Sequence, residues 1–401
     1  MNRAVIIFLL LAVVGFAKGA AAAGSLDGSW VGTWASSRQL VEPHNMPPHP
    51  GLAYNTLRQV VRVSIGGELI RLKLSNEYGN GPLEIKAVHL AQAAGAHRIK
   101  PETGLIITFN GEQAVTIPPG ETVISDPMAY SLPSLTAVAI TIHFGAVPSA
   151  LTGHPGSRTT SYISTDSAVD PEWMRQPVPT EHWYVINGID VAAGNPNSAA
   201  VVVIGDSITD GRGSTTDRHN RWPDILAERL QANEATAHIG VLNHGIGGNA
   251  VLAGGLGPTV FRRFNRDVLE QPGVKYVIIL AGVNDIGSSN STAVAHNLIS
   301  VYQHFVEQAH GRGILVYGAT ILPFGGSQYD TPVREQARQI VNEWIRTSGV
   351  FDAVIDFDLA LRDPDHPERL LGIYDTGDHL HPSAEGYKRM GEFIDLSLFA
   401  K

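Results

Sequence analysis

Cysteine is absent from all 401 residues. That absence excludes disulfides, a thiol nucleophile, thiolate metal ligands and a lipid anchor carried on an N-terminal cysteine. Basic residues are scarce as well: 29 Lys and Arg stand against 38 Asp and Glu, a formal charge of −9. Binding to phosphates needs a basic face, so nucleic acid and anionic membrane surfaces are disfavoured as partners. No apolar run long enough to span a bilayer occurs after residue 23. The metal-binding spacing HExxH is also missing.

The chain is 43% hydrophobic and 17% charged, which suits one or two globular domains with substantial cores. Residues 1–23 read as a signal peptide: Arg3 is the basic flank, Ala4 to Ala17 the apolar run, and Ala21-Ala22-Ala23 the small-residue cleavage site. Cleavage there removes Arg3 and Lys18 and takes the formal charge from −9 to −11. A secreted or periplasmic protein with no integral membrane segment after cleavage is expected.

Residues 26–193 carry short bursts of apolar alternation, such as Leu57 to Ile65, Leu69 to Leu74, Ile85 to Leu90, Gly104 to Phe109, Ala114 to Ile117 and Ala137 to Phe144. Gly66-Gly67, Asn110-Gly111 and Pro118-Pro119-Gly120 separate several of them. Many short strands punctuated by turn residues predict an antiparallel β-sandwich-like accessory domain. Two stretches break the pattern: His44 to Pro50, and Gly153 to Trp183 with His154, Trp173 and His182. Both read as proline-ordered surface loops, and the tryptophans as packing residues rather than sugar platforms.

A linker, residues 194–198, precedes a change of period. Across 199–401, buried-strand runs (Ala200–Ile204, Ile239–Leu242, Tyr276–Leu280, Ile314–Ala319, Ala353–Phe357) alternate with helical patterns (Trp222–Asn233, Thr292–Arg312, Pro332–Ser348, Ala384–Leu396). Five strand runs interspersed with helical patterns predict an α/β fold, a parallel sheet covered by helices on both faces.

Polar, glycine-rich turns follow four of these runs: Gly205-Asp206-Ser207, Asn243 to Asn249, Ala281 to Asp285, and Tyr374 to Pro382. A parallel sheet brings such ends to one edge, where Ser207, Gly248, Asn284, Asp378 and His381 can meet. A serine hydroxyl becomes a competent nucleophile when a base takes its proton. His381 can be that base, and Asp378, three residues before it, can fix its tautomer. The N–H groups of Ser207 and Gly248 and the Asn284 amide can receive a developing oxyanion. His379 and His244 read as rim or supporting residues, Asp206 and Asp285 as turn ligands, and Thr209 and Asp210 as caps of the following helix. Arg212, Tyr329 and the loop from Pro323 to Thr331 are candidate substrate contacts.

Taken together, Gly205-Asp-Ser207, Asn243 to Asn249, Gly282-Val-Asn-Asp285 and Asp378-His-Leu-His381, in this order, closely resemble the SGNH (GDSL) hydrolase superfamily. The resemblance covers about Ala199 to Lys401. It implies a three-layer α/β/α sandwich of the flavodoxin-like type, serine esterase chemistry, and no cofactor or metal. It casts Ser207 as nucleophile, His381 as base, Asp378 as orienting acid, and Ser207, Gly248 and Asn284 as oxyanion donors. Two adjacent glycines leave Gly247 open as the alternative to Gly248. The α/β-hydrolase motif Gly-x-Ser-x-Gly is not met, because Thr209 follows Ile208.

The expected substrate is a small-molecule or polysaccharide ester, with acetyl or feruloyl esters of carbohydrate favoured by export and the accessory β-domain. Lipase, lysophospholipase or aryl esterase activity is the alternative within the same mechanism. A catalytically inactive carbohydrate-binding protein is the alternative from another class.

Overall fold

The computed structural model describes residues 30–400. The expected signal peptide lies outside them. Residues 30–192 form antiparallel sheets of five, seven and three strands. The strands at Thr56–Arg62, Leu83–Gln92 and Ala137–Phe144 pair along the centre of the seven-stranded sheet, Ala137–Phe144 lying between the other two. Their inward side chains, including Leu57, Val61, Val88, Leu90, Ile140 and Ile142, are fully buried. Apolar alternation marks these strands because one face of each is solvated or covered by polar groups.

The second half is a parallel sheet with helices on both faces, the doubly wound arrangement expected. Its strands are β1 (Ala199–Gly205), β2 (Ile239–Gly245), β3 (Val274–Leu280), β4 (Leu315–Ala319) and β5 (Ala353–Ile355). They lie in the order β2-β1-β3-β4-β5. All seven residues of β1 are buried, which explains its unbroken apolar run. The helices that define the site are α1 (Ser207–Asp210), α2 (Trp222–Gln231), α3 (Val283–Ser288), α4 (Ala293–His310), α5 (Pro332–Thr347) and α6 (Ala384–Phe393).

The two halves share one continuous apolar core. The edge strand β2 is covered by the N-terminal half. Val241 N–H donates to Ser64 Oγ at 2.9 Å, and a Cβ on Gly32 would stand 2.7 Å from a Leu242 methyl. A sheet edge that would otherwise offer unpaired backbone groups is thereby closed.

One expectation needs correction. Gly153 to Trp183 is not a surface loop throughout. Thr152–His154 and Trp183–Tyr184 are strands of the three-stranded sheet, with Gln39–Leu40 as the third. His154 is buried, and Trp183 packs edge-on against Trp34 with ring centroids 5.0 Å apart. Trp173 stands exposed. Strands of two or three residues carry too little periodicity to register in a sequence.

Candidate active site

Strand β1 ends against a constriction. A Cβ at Gly205 would lie 2.1 Å from the Leu280 carbonyl, and one at Gly245 would lie 2.2 Å from the Asp210 nitrogen. Only glycine lets the three strand ends and the first turn of α1 approach so closely. Ser207 is the first residue of α1. The N-cap is Asp206, whose carboxylate accepts from Ile208 N–H at 3.0 Å. Burial pushes the Asp206 carboxyl up to about 7. The alternative that Ser207 merely caps a helix is thus occupied by its neighbour. Thr209 and Asp210 lie inside α1 and cap nothing, contrary to expectation; the next helix, α2, has Arg221 at its N-cap.

Ser207 Oγ lies 2.8 Å from His381 Nε2. His381 Nδ1 lies 2.6 Å from Asp378 Oδ2. Asp378 Oδ1 also accepts from the Leu380 and His381 N–H groups at 3.0 and 2.8 Å and from Thr376 Oγ1 at 3.0 Å. Burial alone would raise the Asp378 carboxyl; these N–H donors and the His381 ring outweigh it and hold it well below the usual carboxylate range. An ionised Asp378 can only accept, so His381 Nδ1 carries the proton and Nε2 is free to accept from the serine. Desolvation lowers the His381 imidazole below its ordinary value, against the upward pull of Asp378. His379 points elsewhere, bonding Asp375 Oδ2 at 2.6 Å from an exposed position.

The three expected donors, at Ser207, Gly248 and Asn284, line one cavity. Among the described residues the Ser207 and Gly248 N–H groups have no acceptor in the protein. Gly248 sits at φ +68°, a conformation suited to glycine. Asn284 lies in the first turn of α3. Its Nδ2 donates to the Asn249 carbonyl at 2.9 Å, and its Oδ1 accepts from Tyr329 O–H at 2.9 Å. These two bonds fix the amide and leave the second N–H of Nδ2 uncommitted. Tyr329 therefore orients Asn284, a role its position in the sequence did not reveal.

A cavity of about 310 Å³ opens on Ser207, Gly247, Gly248, Asn284 and His381. Gln328 and Tyr329 of the loop from Pro323 to Thr331 line it, as does Arg212. The opposite wall comes from the N-terminal half: Gln39, Glu42, Asn45, Arg158 and His182. None of those five was singled out as a site residue from sequence, although His182 was noted; they lie in or beside the two stretches read as loops. His154 reaches the site from beneath. Its Nε2 lies 2.9 Å from Asp210 Oδ1, and its Nδ1 2.9 Å from the Ser37 carbonyl.

The floor is a buried polar network. Arg263 is fully buried and donates to the Gly205 carbonyl at 2.9 Å, the His244 carbonyl at 2.6 Å, Asn249 Oδ1 at 3.0 Å and Ser37 Oγ at 2.8 Å. It also pairs with Asp267 at 3.1 Å. One guanidinium thus ties the serine turn, the Gly248 loop and the N-terminal half together. Burial would raise the Asp267 carboxyl; Arg266, His244 and Arg263 hold it below the usual range instead. Burial pushes His244 down to about 3. Asp285 accepts from the Val251 and Leu252 N–H groups at 2.8 Å each, fixing the loop beyond Gly248.

Residues 203–389 match the model of the GDSL-like lipase/acylhydrolase family. Solved structures similar to the chain include a protein described as lipolytic and of the G-D-S-L family from Desulfitobacterium hafniense DCB-2, 30% identical, covering 49% of this chain and 97% of that one with a TM-score of 0.38. Another is a member of the lipolytic protein G-D-S-L family from Veillonella parvula DSM 2008, at 21% identity, 51% and 100% coverage and a TM-score of 0.38. A third is the acetyl xylan esterase AlAXEase, at 22% identity, 48% and 96% coverage and a TM-score of 0.37. No curated protein matches the chain. Residues 203–389, which carry the serine turn and the Asp378-His-Leu-His381 segment, are a GDSL-like lipase/acylhydrolase domain.

Proposed function

We propose that this chain is an exported carboxylic ester hydrolase in which Ser207, His381 and Asp378 act as a triad. The carrying observation is the line of contacts from Ser207 Oγ to His381 Nε2 at 2.8 Å and from His381 Nδ1 to Asp378 Oδ2 at 2.6 Å. His381 takes the serine proton as Oγ attacks the ester carbonyl. The oxyanion is held by the N–H groups of Ser207 and Gly248 and by Asn284 Nδ2. Collapse expels the alcohol, protonated by His381. Water, deprotonated by the same ring, then releases the acid and restores the serine.

For the substrate, an acetyl or feruloyl ester of carbohydrate fits best. The cavity wall of Gln39, Glu42, Asn45, Arg158, His182 and Gln328 is polar. Sugar hydroxyls find donors and acceptors there, whereas a long acyl chain would leave those groups unpaired. Export rests on the N-terminal segment; no helix among the described residues is long and apolar enough to cross a membrane. The test is a panel of acetyl xylan, methyl ferulate, p-nitrophenyl esters of rising chain length and lysophospholipid. Highest kcat/KM on the short-acyl or carbohydrate esters is expected. Preference for long acyl chains would overturn the carbohydrate reading, and no hydrolysis of any ester would favour a binding protein.

A further inference from the structure

We propose that Arg158 and Arg212 form an anion subsite beside Ser207, so that the preferred ester is carried on an acidic saccharide. The inference rests on the carbohydrate esterase reading above and narrows its substrate. In a chain of net charge −9, two guanidinium side chains border the cavity that holds the serine. One comes from each half of the molecule. Both lie close enough to His381 to oppose its protonation.

Neither is neutralised in the manner of the protein's structural arginines. Arg263 and Arg338 are buried and hold acceptors at 2.6–3.1 Å. Arg212 is exposed, and among the described residues its side chain makes no hydrogen bond or ion pair. Arg158 has a buried Nε with no partner, and its nearest carboxylate oxygen, Asp210 Oδ2, is 3.6 Å away. His154 engages the other oxygen, Asp210 Oδ1, at 2.9 Å, and Oδ2 takes no hydrogen bond, so among the described residues the Arg158 side chain is held by this one long ion pair alone. The other acid on the wall, Glu42, takes its bonds from the Gln39 and Asn45 amides at 2.7 and 3.0 Å and from no cation. Guanidinium forks match the geometry of carboxylate and phosphate oxygens. The group that completes them here is a uronate carboxylate or a sugar phosphate on the substrate.

The test compares acetylated oligogalacturonate, an acetylated sugar phosphate and acetylated xylo-oligosaccharide on the full-length protein. The readout is the ratio of kcat/KM on each acidic substrate to that on the neutral one. Wild type is expected to prefer one acidic substrate about tenfold or more, and the preferred arm identifies the anion. Arg212→Gln and Arg158→Gln should each pull that ratio toward one, chiefly through KM, and rising salt should do the same. Lys388→Gln, outside the cavity lining, is the charge control and should leave the ratio in place. A wild-type ratio near one, or a ratio that neither arginine variant changes, overturns the subsite. Failure of the esterase reading is a separate result: no turnover of any of the three substrates or of p-nitrophenyl acetate.

Discussion

At the scale of single residues, chemistry depends on one proton's position. His381 must be neutral at Nε2 to accept from Ser207, and desolvation holds its imidazole below the ordinary value of about 6.5. A base with a lowered pKa stays neutral to lower pH. The acid limb of kcat/KM is therefore expected below about pH 6.5; a limb centred above 7 in the pH–rate profile would contradict this environment. Asn284→Ala should lower kcat by about 10²–10³, the usual loss for one oxyanion donor. Tyr329→Phe removes only the bond that orients that amide, so a drop of about fivefold is expected, equivalent to about 1 kcal/mol. Equal kcat losses in the two variants would mean that Tyr329 acts on substrate directly.

At the scale of elements, the loops that carry the site are held from below rather than by their own regularity. Arg263 bonds the Gly205 and His244 carbonyls, and Asp285 holds the loop after Gly248. His244 sits in this floor with its folded value near 3. Between about pH 6.5 and 3 the unfolded chain binds a proton there that the folded chain does not. Stability from this group is therefore full above about 6.5 and is lost as pH falls. Asp206, raised to about 7, works in the opposite sense, so the wild-type curve mixes both. The difference between wild type and His244→Asn isolates the histidine. In urea unfolding across that range, the variant should lack up to about 1.4 kcal/mol per pH unit of slope. Parallel curves would show that His244 is accessible to protons in the folded state.

The elements also show what a sequence can disclose. Strand β1 was legible because burial on both faces demands an unbroken apolar run. The turns after β1, β2 and β3 were legible because that topology sends them to one edge; the Tyr374 to Pro382 segment lies beyond a further helix after β5 and precedes α6. The close approaches at Gly205 and Gly245 were not read from the sequence. The wall built by Gln39, Glu42, Asn45 and Arg158 was not legible. It rests on strands of two or three residues and on long-range pairing of Gln39 with Gly153, and neither leaves a periodic trace. His154 was noticed but set aside as a loop histidine, because nothing local announces that its partner is Asp210, 56 positions away.

At the scale of the whole molecule, the N-terminal half closes the edge of the parallel sheet and supplies one side of the cavity. The contact at Gly32 is tight enough to test this. Gly32→Val forces a branched side chain onto Leu242 and should destabilise the entire chain by about 1–3 kcal/mol, read as a single cooperative transition in thermal unfolding. A change confined to one of two separate transitions would show that the halves unfold independently.

The central claim is that Ser207 is the nucleophile activated by His381. Labelling the active protein with a fluorophosphonate and mapping the adduct by peptide mass spectrometry tests it most directly. The expected result is stoichiometric modification of Ser207 with parallel loss of esterase activity, and no adduct in Ser207→Ala. Full activity with Ser207 unmodified, or inactivation by an adduct at another residue, would contradict the account.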